Sequence, residues 1–150
     1  MNLVSDRVWG GATVWLEPRG ESFEGQVAVA AVILRRAKQH LRSDGTIFGT
    51  VFAPRQFSCW NEVTSALRYL ARMDDTEPMV RQCLQAWDEA ANLGHDPALG
   101  ATHYLNVDAT RRSRPDGALP AWAADPADST RINGALVTVV IGKHTFLRTA

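Results

Sequence analysis

The chain lacks several things that would have named a class. It has no net charge: sixteen lysines and arginines offset sixteen aspartates and glutamates over 150 residues. No global field therefore draws it to nucleic acid or to an anionic membrane, and neither partner is expected. Long apolar runs are missing too. The longest, Val27 to Leu34, falls far short of the ~20 residues that span a bilayer. The two cysteines, Cys59 and Cys83, are too few for a disulfide framework and are not at a zinc-site spacing. The first residues, Met1 to Arg7, carry no cationic start followed by an apolar core. No secretory signal is read there, and the expected location is the cytoplasm of the cell that makes the protein. No internal repeat is found. What remains, 45% hydrophobic and 21% charged residues, is a globular composition about one domain long. A single domain over 1–150 is expected.

Helical periodicity appears first from Ser5 to Leu16, with Val8, Ala12, Trp15 and Leu16 on one face. Gly10 and Gly11 weaken this segment by roughly 1 kcal/mol each relative to alanine. Pro18 disfavours an α conformation at Glu17 and ends the helix there, which leaves Glu17 at a terminus where its side chain can face a cleft. A second helix, opened by the break and cap Gly20-Glu21-Ser22, is expected to run to Leu41. Phe23, Val27, Ala30, Leu34, Ala37 and Leu41 form its apolar stripe. Val29, Val32 and Ile33 make its first half apolar nearly all round, the mark of a central helix. Its basic tail suits the negative end of the helix dipole.

Residues 46–57 read as a short irregular or extended connection. A third helix is expected from Ser58 to Met73, with Val63, Ala66, Leu67 and Leu70 on one face. A fourth, capped by Thr76, runs through Met79, Val80, Cys83, Leu84 and Trp87 and stops at Gly94. Strands then take over: Ala101 to Val107, Leu136 to Ile141 and, after a two-residue Gly142-Lys143 turn, His144 to Arg148. Between them, 108–134 shows no clear periodicity and reads as an irregular loop. The fold class expected is α+β, mainly helical, with a small antiparallel sheet in the C-terminal third.

The most unusual segment for chemistry is Glu17 to Gln26, where Glu17, Glu21 and Glu24 accompany Arg19, Gly20 and Gly25 ahead of the long apolar helix. A glutamate at a helix end, backed by Trp15 and Leu16, can be desolvated and so keep its proton toward neutrality, the condition a general acid needs. On spacing alone the other reading is that Glu21 and Glu24 decorate the first turn of the second helix, where negative charge is favoured.

Glu17-x-Arg19-Gly20-Glu21-x-x-x-Gly25-Gln26 followed by Val27 to Leu34 resembles the signature of the SleB-type cell-wall hydrolases, the spore-cortex-lytic enzymes and their bacterial and phage relatives. The likeness continues in Gln56-Phe57-Ser58-Cys59-Trp60, Gly100-Ala101-Thr102-His103-Tyr104-x-Asn106, Pro120-x-Trp122-Ala123 and Ile141-Gly142-Lys143-His144-x-Phe146. These segments follow the family's order over nearly the whole chain.

The resemblance implies a lysozyme-like domain cleaving peptidoglycan glycan strands between N-acetylmuramic acid and N-acetylglucosamine, often as a lytic transglycosylase. It places the catalytic glutamate on Glu17, which would protonate the glycosidic oxygen. The carboxylate would then take the proton of the muramic acid C6 hydroxyl as a 1,6-anhydro ring closes. The usual glycosidase scheme instead uses a second carboxylate. No cofactor or metal is called for. A monomeric phage endolysin, waiting in the host cytoplasm for a holin to open the membrane, is the role this suggests. Pro18 stands where the family commonly has alanine, Arg35 where it has asparagine, Leu105 where histidine is common and Leu147 where tyrosine is. These departures bear on the outer substrate contacts.

Around Glu17 the supporting candidates have two readings each. Glu21 is a second active-site carboxylate or the start of a helix. Gln26 binds sugar or stabilises the cleft wall. Tyr104 and Asn106 share one strand face, since i and i+2 point the same way; they would bind an acetamido group or orient Glu17. Gln56, Phe57 and Ser58 line the cleft, or Ser58 caps a helix. Trp122 stacks on a sugar ring, while Trp60 reads more as core. Two rivals are set beside these. Cys59, His103 and Asn106 are the residue types of a cysteine peptidase or amidase, and His95, His103 and His144 the types of a metal site.

Overall fold

The computed structural model describes residues 4–18, 20–54, 56–117, 119, 131–132 and 135–149. They fall into two compact units, Met1–Pro97 and Ala98–Ala150.

The first unit is helical. α1 (Asp6–Leu16) is capped by Ser5, whose Oγ accepts from the Val8 N–H, and its C-cap is Glu17. The helix thus stops where Pro18 requires, although Glu17 itself keeps φ −87° and ψ −77° and donates its N–H to the Thr13 carbonyl. α2 (Phe23–Lys38) starts from Ser22, whose Oγ accepts from the Gly25 N–H. Val27, Val29, Val32 and Ile33 are all fully buried, as the all-round apolar pattern predicts. It ends before Leu41, because His40 and Arg42 take positive φ.

The expected connection at 46–57 contains a short helix, α3 (Ile47–Val51), nucleated by Thr46 as N-cap for the Gly49 N–H. The single helix expected from Ser58 to Met73 is two pieces: a 3-10 turn, Ser58–Trp60, and α4 (Val63–Ala71). Leu67, expected on the buried face of that helix, is 47% exposed. α5 (Pro78–Leu93) begins one residue after Glu77, with proline at the start of the helix where no N–H is missed. Thr76 is therefore not its cap; its N–H and hydroxyl both bond Asp74 Oδ1. The stop at Gly94, in the left-handed conformation, is as predicted.

α5 packs against α1 and α2. Here the glycines that weaken α1 find their use. A Cβ on Gly10 would lie 2.3 Å from the Trp87 ring, and one on Gly11 2.5 Å from Leu84 Cδ2. Two helix backbones approach closely only because both side chains are absent. A buried amide ties the same layer together: Gln26 Nε2 donates to the Glu21 carbonyl, and Gln82 Nε2 donates to Gln26 Oε1.

The second unit is a four-stranded antiparallel sheet in the order β1-β4-β3-β2, with β1 (His103–Asn106), β2 (Arg131–Ile132), β3 (Ala135–Ile141) and β4 (His144–Arg148). The β3–β4 hairpin turns at Gly142-Lys143 and pairs Ile141 with His144. β1 is shorter than the Ala101 to Val107 expected. Val107–Ser113 is instead a helix, α6, which takes the last residue of the expected strand and the start of the stretch read as irregular, because Asn106 Oδ1 caps it by accepting from the Ala109 N–H. Leu105, Ala135 and Leu147 form the buried cluster of this unit.

Candidate active site

Glu17 is half-buried at the end of α1. Its Oε1 accepts two hydrogen bonds from the turn Ser58–Trp60, one from Ser58 Oγ at 3.0 Å and one from the Cys59 N–H at 2.8 Å. Both fall on the same oxygen. A carboxylate gripped through Oε1 by two donors has a fixed plane, and neither of these bonds engages Oε2.

The turn that supplies those donors is anchored on both sides. At its far end, Trp60 Nε1 donates to Thr13 Oγ1 at 2.9 Å, and Thr13 Oγ1 donates to the Trp9 carbonyl at 2.8 Å. Trp60 also stacks against Phe52, with centroids 4.6 Å apart, and meets Trp9 edge-on. Trp60 is therefore core, the reading favoured for it. Beside it opens a cavity of about 450 Å³ lined by Phe52, Ala53, Pro54, Trp60 and Asn61.

On its near side, Gln56 Oε1 accepts from Arg36 Nη2, and the Arg36 guanidinium lies 5.5 Å from the Phe57 ring centroid. Phe57 is itself buried. Gln56 and Phe57 thus brace the turn, and Ser58 bonds the carboxylate instead of capping a helix. Arg36 and Thr13 escaped the sequence reading. The signal for Arg36 is an arginine falling on the buried side of an apolar helix, within a tail that is basic in pattern.

The remaining candidates are placed as follows. Gln26 is fully buried on the face of α2 that meets α5, where its Oε1 accepts from Gln82 Nε2. Glu21 lies before α2 and lends its backbone carbonyl to Gln26. Tyr104 and Asn106 belong to the second unit. Tyr104 packs edge-on to His144 at 5.3 Å and beside Phe146 at 5.8 Å. Asn106 spends Oδ1 on the cap of α6. Trp122 and Arg19 lie outside the described residues. Of the departures from the family pattern, Arg35 pairs with Asp96, Pro18 is buried, and Leu105 and Leu147 are packed in one core cluster. The two leucines thus pack in the core of their unit.

The cysteine rival fails on its own chemistry. Burial pushes the Cys59 thiol well above its ordinary value, and the charge of Glu17 and a hydrogen bond to it push the thiol further the same way. A nucleophilic cysteine needs the thiolate, which a facing carboxylate opposes. Among the described residues, no group of three or more His, Cys, Asp or Glu is placed to hold a metal ion, and no helix is long and apolar enough to cross a membrane.

Known proteins match this chain from end to end. A solved structure, the catalytic domain of the germination-specific lytic transglycosylase SleB from Bacillus anthracis, is similar at 33% identity and a TM-score of 0.63, covering 99% of both chains. The α+β, lysozyme-like fold expected is the fold of that domain. The spore cortex-lytic enzyme of Oceanobacillus iheyensis is 35% identical over 108 residues, 72% of this chain and 33% of that protein. That of Halalkalibacterium halodurans is 35% identical over 146 residues, 97% of this chain and 34% of that protein. The chain spans about a third of the length of these curated relatives. The sequence profile of the Cell Wall Hydrolase family matches residues 20–147, beginning just past Glu17. With that match over most of its length, joined to the shared fold, the chain belongs to the Cell Wall Hydrolase family.

Proposed function

We propose that this protein is a peptidoglycan glycosidase acting as a lytic transglycosylase between N-acetylmuramic acid and N-acetylglucosamine, with Glu17 as general acid and base. The observation that carries the reading is the match of nearly the whole chain to a solved catalytic domain bearing that activity in its name. The geometry of Glu17 supports its assignment. Ser58 and Cys59 donate to Oε1, so the orientation of Oε2 is set before substrate arrives, and preorganisation of this kind lowers a barrier without cost at the moment of reaction.

In the proposed cycle the protonated Glu17 gives its proton to the glycosidic oxygen as the bond to muramic acid C1 breaks. The substrate's own acetamido group supports the developing cation. The Glu17 carboxylate then accepts the proton of the C6 hydroxyl, whose oxygen closes on C1 to give the 1,6-anhydro sugar. Proton and leaving group balance without water, and one protein carboxyl serves both halves. A hydrolytic muramidase would instead need a positioned water, with Glu21 the first second carboxylate to test.

Mass spectrometry of fragments released from purified peptidoglycan by the wild type and by Glu17→Gln tests this. Fragments ending in 1,6-anhydromuramic acid, absent with the variant, are expected. Reducing ends would keep the glycosidase and move it to hydrolysis. Binding without release of fragments would make the protein a glycan-binding module. Cleaved peptides on intact glycan, or a fully active variant, would overturn the reading.

On the sequence resemblance we also propose the endolysin role, a monomer freed from the host cytoplasm by a holin. Lysis of an expressing culture only when a holin is co-expressed is expected; lysis without one, or none with one, overturns it.

A further inference from the structure

Arg36 presents an unusual fact for an exposed-sounding sequence. It sits in the run Arg35-Arg36-Ala37-Lys38 at the end of α2, yet it is only 4% exposed. Burying a guanidinium is costly unless hydrogen bonds and favourable charge–ring contacts offset the lost water. Contacts of both kinds are present, one from Gln56 and one from Phe57. Nη2 donates to Gln56 Oε1, and the guanidinium faces the buried Phe57 ring with Cζ 5.5 Å from its centroid. Gln56 in turn donates Nε2 to the Pro54 carbonyl at 3.2 Å, so the segment is fixed immediately before its last two residues reach Glu17. Ser58 Oγ and the Cys59 N–H follow in sequence, and both donate to Glu17 Oε1.

We propose that Arg36 is a positioning residue for the reaction: through Gln56 and Phe57 it sets the turn Ser58–Trp60 and thereby the two donors that orient the Glu17 carboxylate. The inference rests on the reading of Glu17 as the acid. Its physical content is a relay of fixed contacts from α2 to α1: Arg36 holds Gln56 and Phe57, and the next two residues, Ser58 and Cys59, hold Glu17. An arginine suits the post because its planar fork holds direction, where a lysine would supply only a point charge. A small misplacement of a reacting group is expensive in rate, about a hundred-fold for 1 Å.

The test is a double-mutant cycle on kcat with solubilised peptidoglycan, using Arg36→Met, Ser58→Ala and the pair. Arg36→Met is expected to lower kcat about ten-fold or more with little change in KM, since a transition-state interaction is lost and ground-state binding is not. Arg36→Lys recovers part of the loss. The pair is expected to be no worse than about two-fold below the poorer single variant, because both act through one carboxylate. Losses that multiply, or a change confined to KM, would overturn the inference and leave Arg36 a packing residue. If Arg36→Met does not fold, Gln56→Ala takes its place in the cycle with the same expected outcomes. Glu17→Gln separates the two claims. If it stays active, the functional reading falls; if it is inactive while the cycle multiplies, only the role of Arg36 falls.

Discussion

Thr13 holds Trp60 and Glu17 at once: its hydroxyl accepts the Trp60 indole N–H at 2.9 Å, and its carbonyl accepts the Glu17 N–H at 2.9 Å. One buried residue of α1 thus sets the end of the helix that carries the carboxyl and the end of the turn that grips it. Substituting Thr13→Val keeps the shape and deletes the acceptor. The indole N–H is then buried without a partner, a loss of about 1–3 kcal/mol. For a chain of this length, thermal denaturation should show the midpoint lowered by about 2–4 °C for each kcal/mol. A variant as stable as the wild type would show that the bond contributes nothing net.

Gly10→Ala sets two effects against each other. Helix propensity favours alanine by about 1 kcal/mol. Its Cβ, however, would lie 2.3 Å from the Trp87 ring, and overpacking of this kind costs about 1–3 kcal/mol. Trp87 is buried and has little room to give, so the packing loss is expected to win. Urea unfolding should show a lower midpoint at unchanged m-value. A higher midpoint would mean that α1 and α5 can part without penalty.

Cys59 makes a prediction about pH. Its thiol is raised above its ordinary 9.0 by burial first and by Glu17 second. Below that value the thiol is protonated in both folded and unfolded chains and adds no pH dependence. Above it the unfolded chain sheds a proton that the folded chain keeps, so the folded state binds more protons and stability falls as pH rises. Urea midpoints measured from pH 8 upward should fall more steeply for the wild type than for Cys59→Ala. The native thiol should also resist alkylation at pH 8, and rapid labelling in the folded state would contradict the geometry.

Leu147 and Leu105 are predicted to be coupled. Leu147 is fully buried and shares its cluster with Leu105 and Ala135. Leu147→Tyr adds volume and a hydroxyl to an apolar site, a loss of about 1–3 kcal/mol from overpacking alone. Combining it with Leu105→His restores a polar neighbour at the second departure from the family pattern. The double variant should then lose less than the sum of the singles in thermal denaturation. Additive losses would make the two departures independent.

Local chemistry was legible in the sequence where a single residue type decides the backbone. Ser5 and Ser22 begin helices, Pro18 ends one, Gly94 ends another and Gly142-Lys143 turns a hairpin, because capping and φ preferences act within a few residues. The same logic failed where two local candidates competed. Thr76 was outbid by Asp74 and Pro78, and Asn106 proved to be a helix cap after its strand, so Val107–Ser113 became a helix in a stretch with no apolar period.

By itself, then, the sequence determined the α+β order of elements, the central apolar helix, the family signature and Glu17 at a helix end. The tertiary structure decided what surrounds that glutamate. The donors of Ser58 and Cys59, the acceptor on Thr13 and the brace from Arg36 come from segments far apart in the chain. No periodicity or motif encodes such meetings, because side-chain hydrogen bonds across elements exist only once the helices have packed. Glycine shows the division most plainly. In the sequence Gly10 is a weakness in a helix; in the folded protein it is the gap into which Trp87 fits.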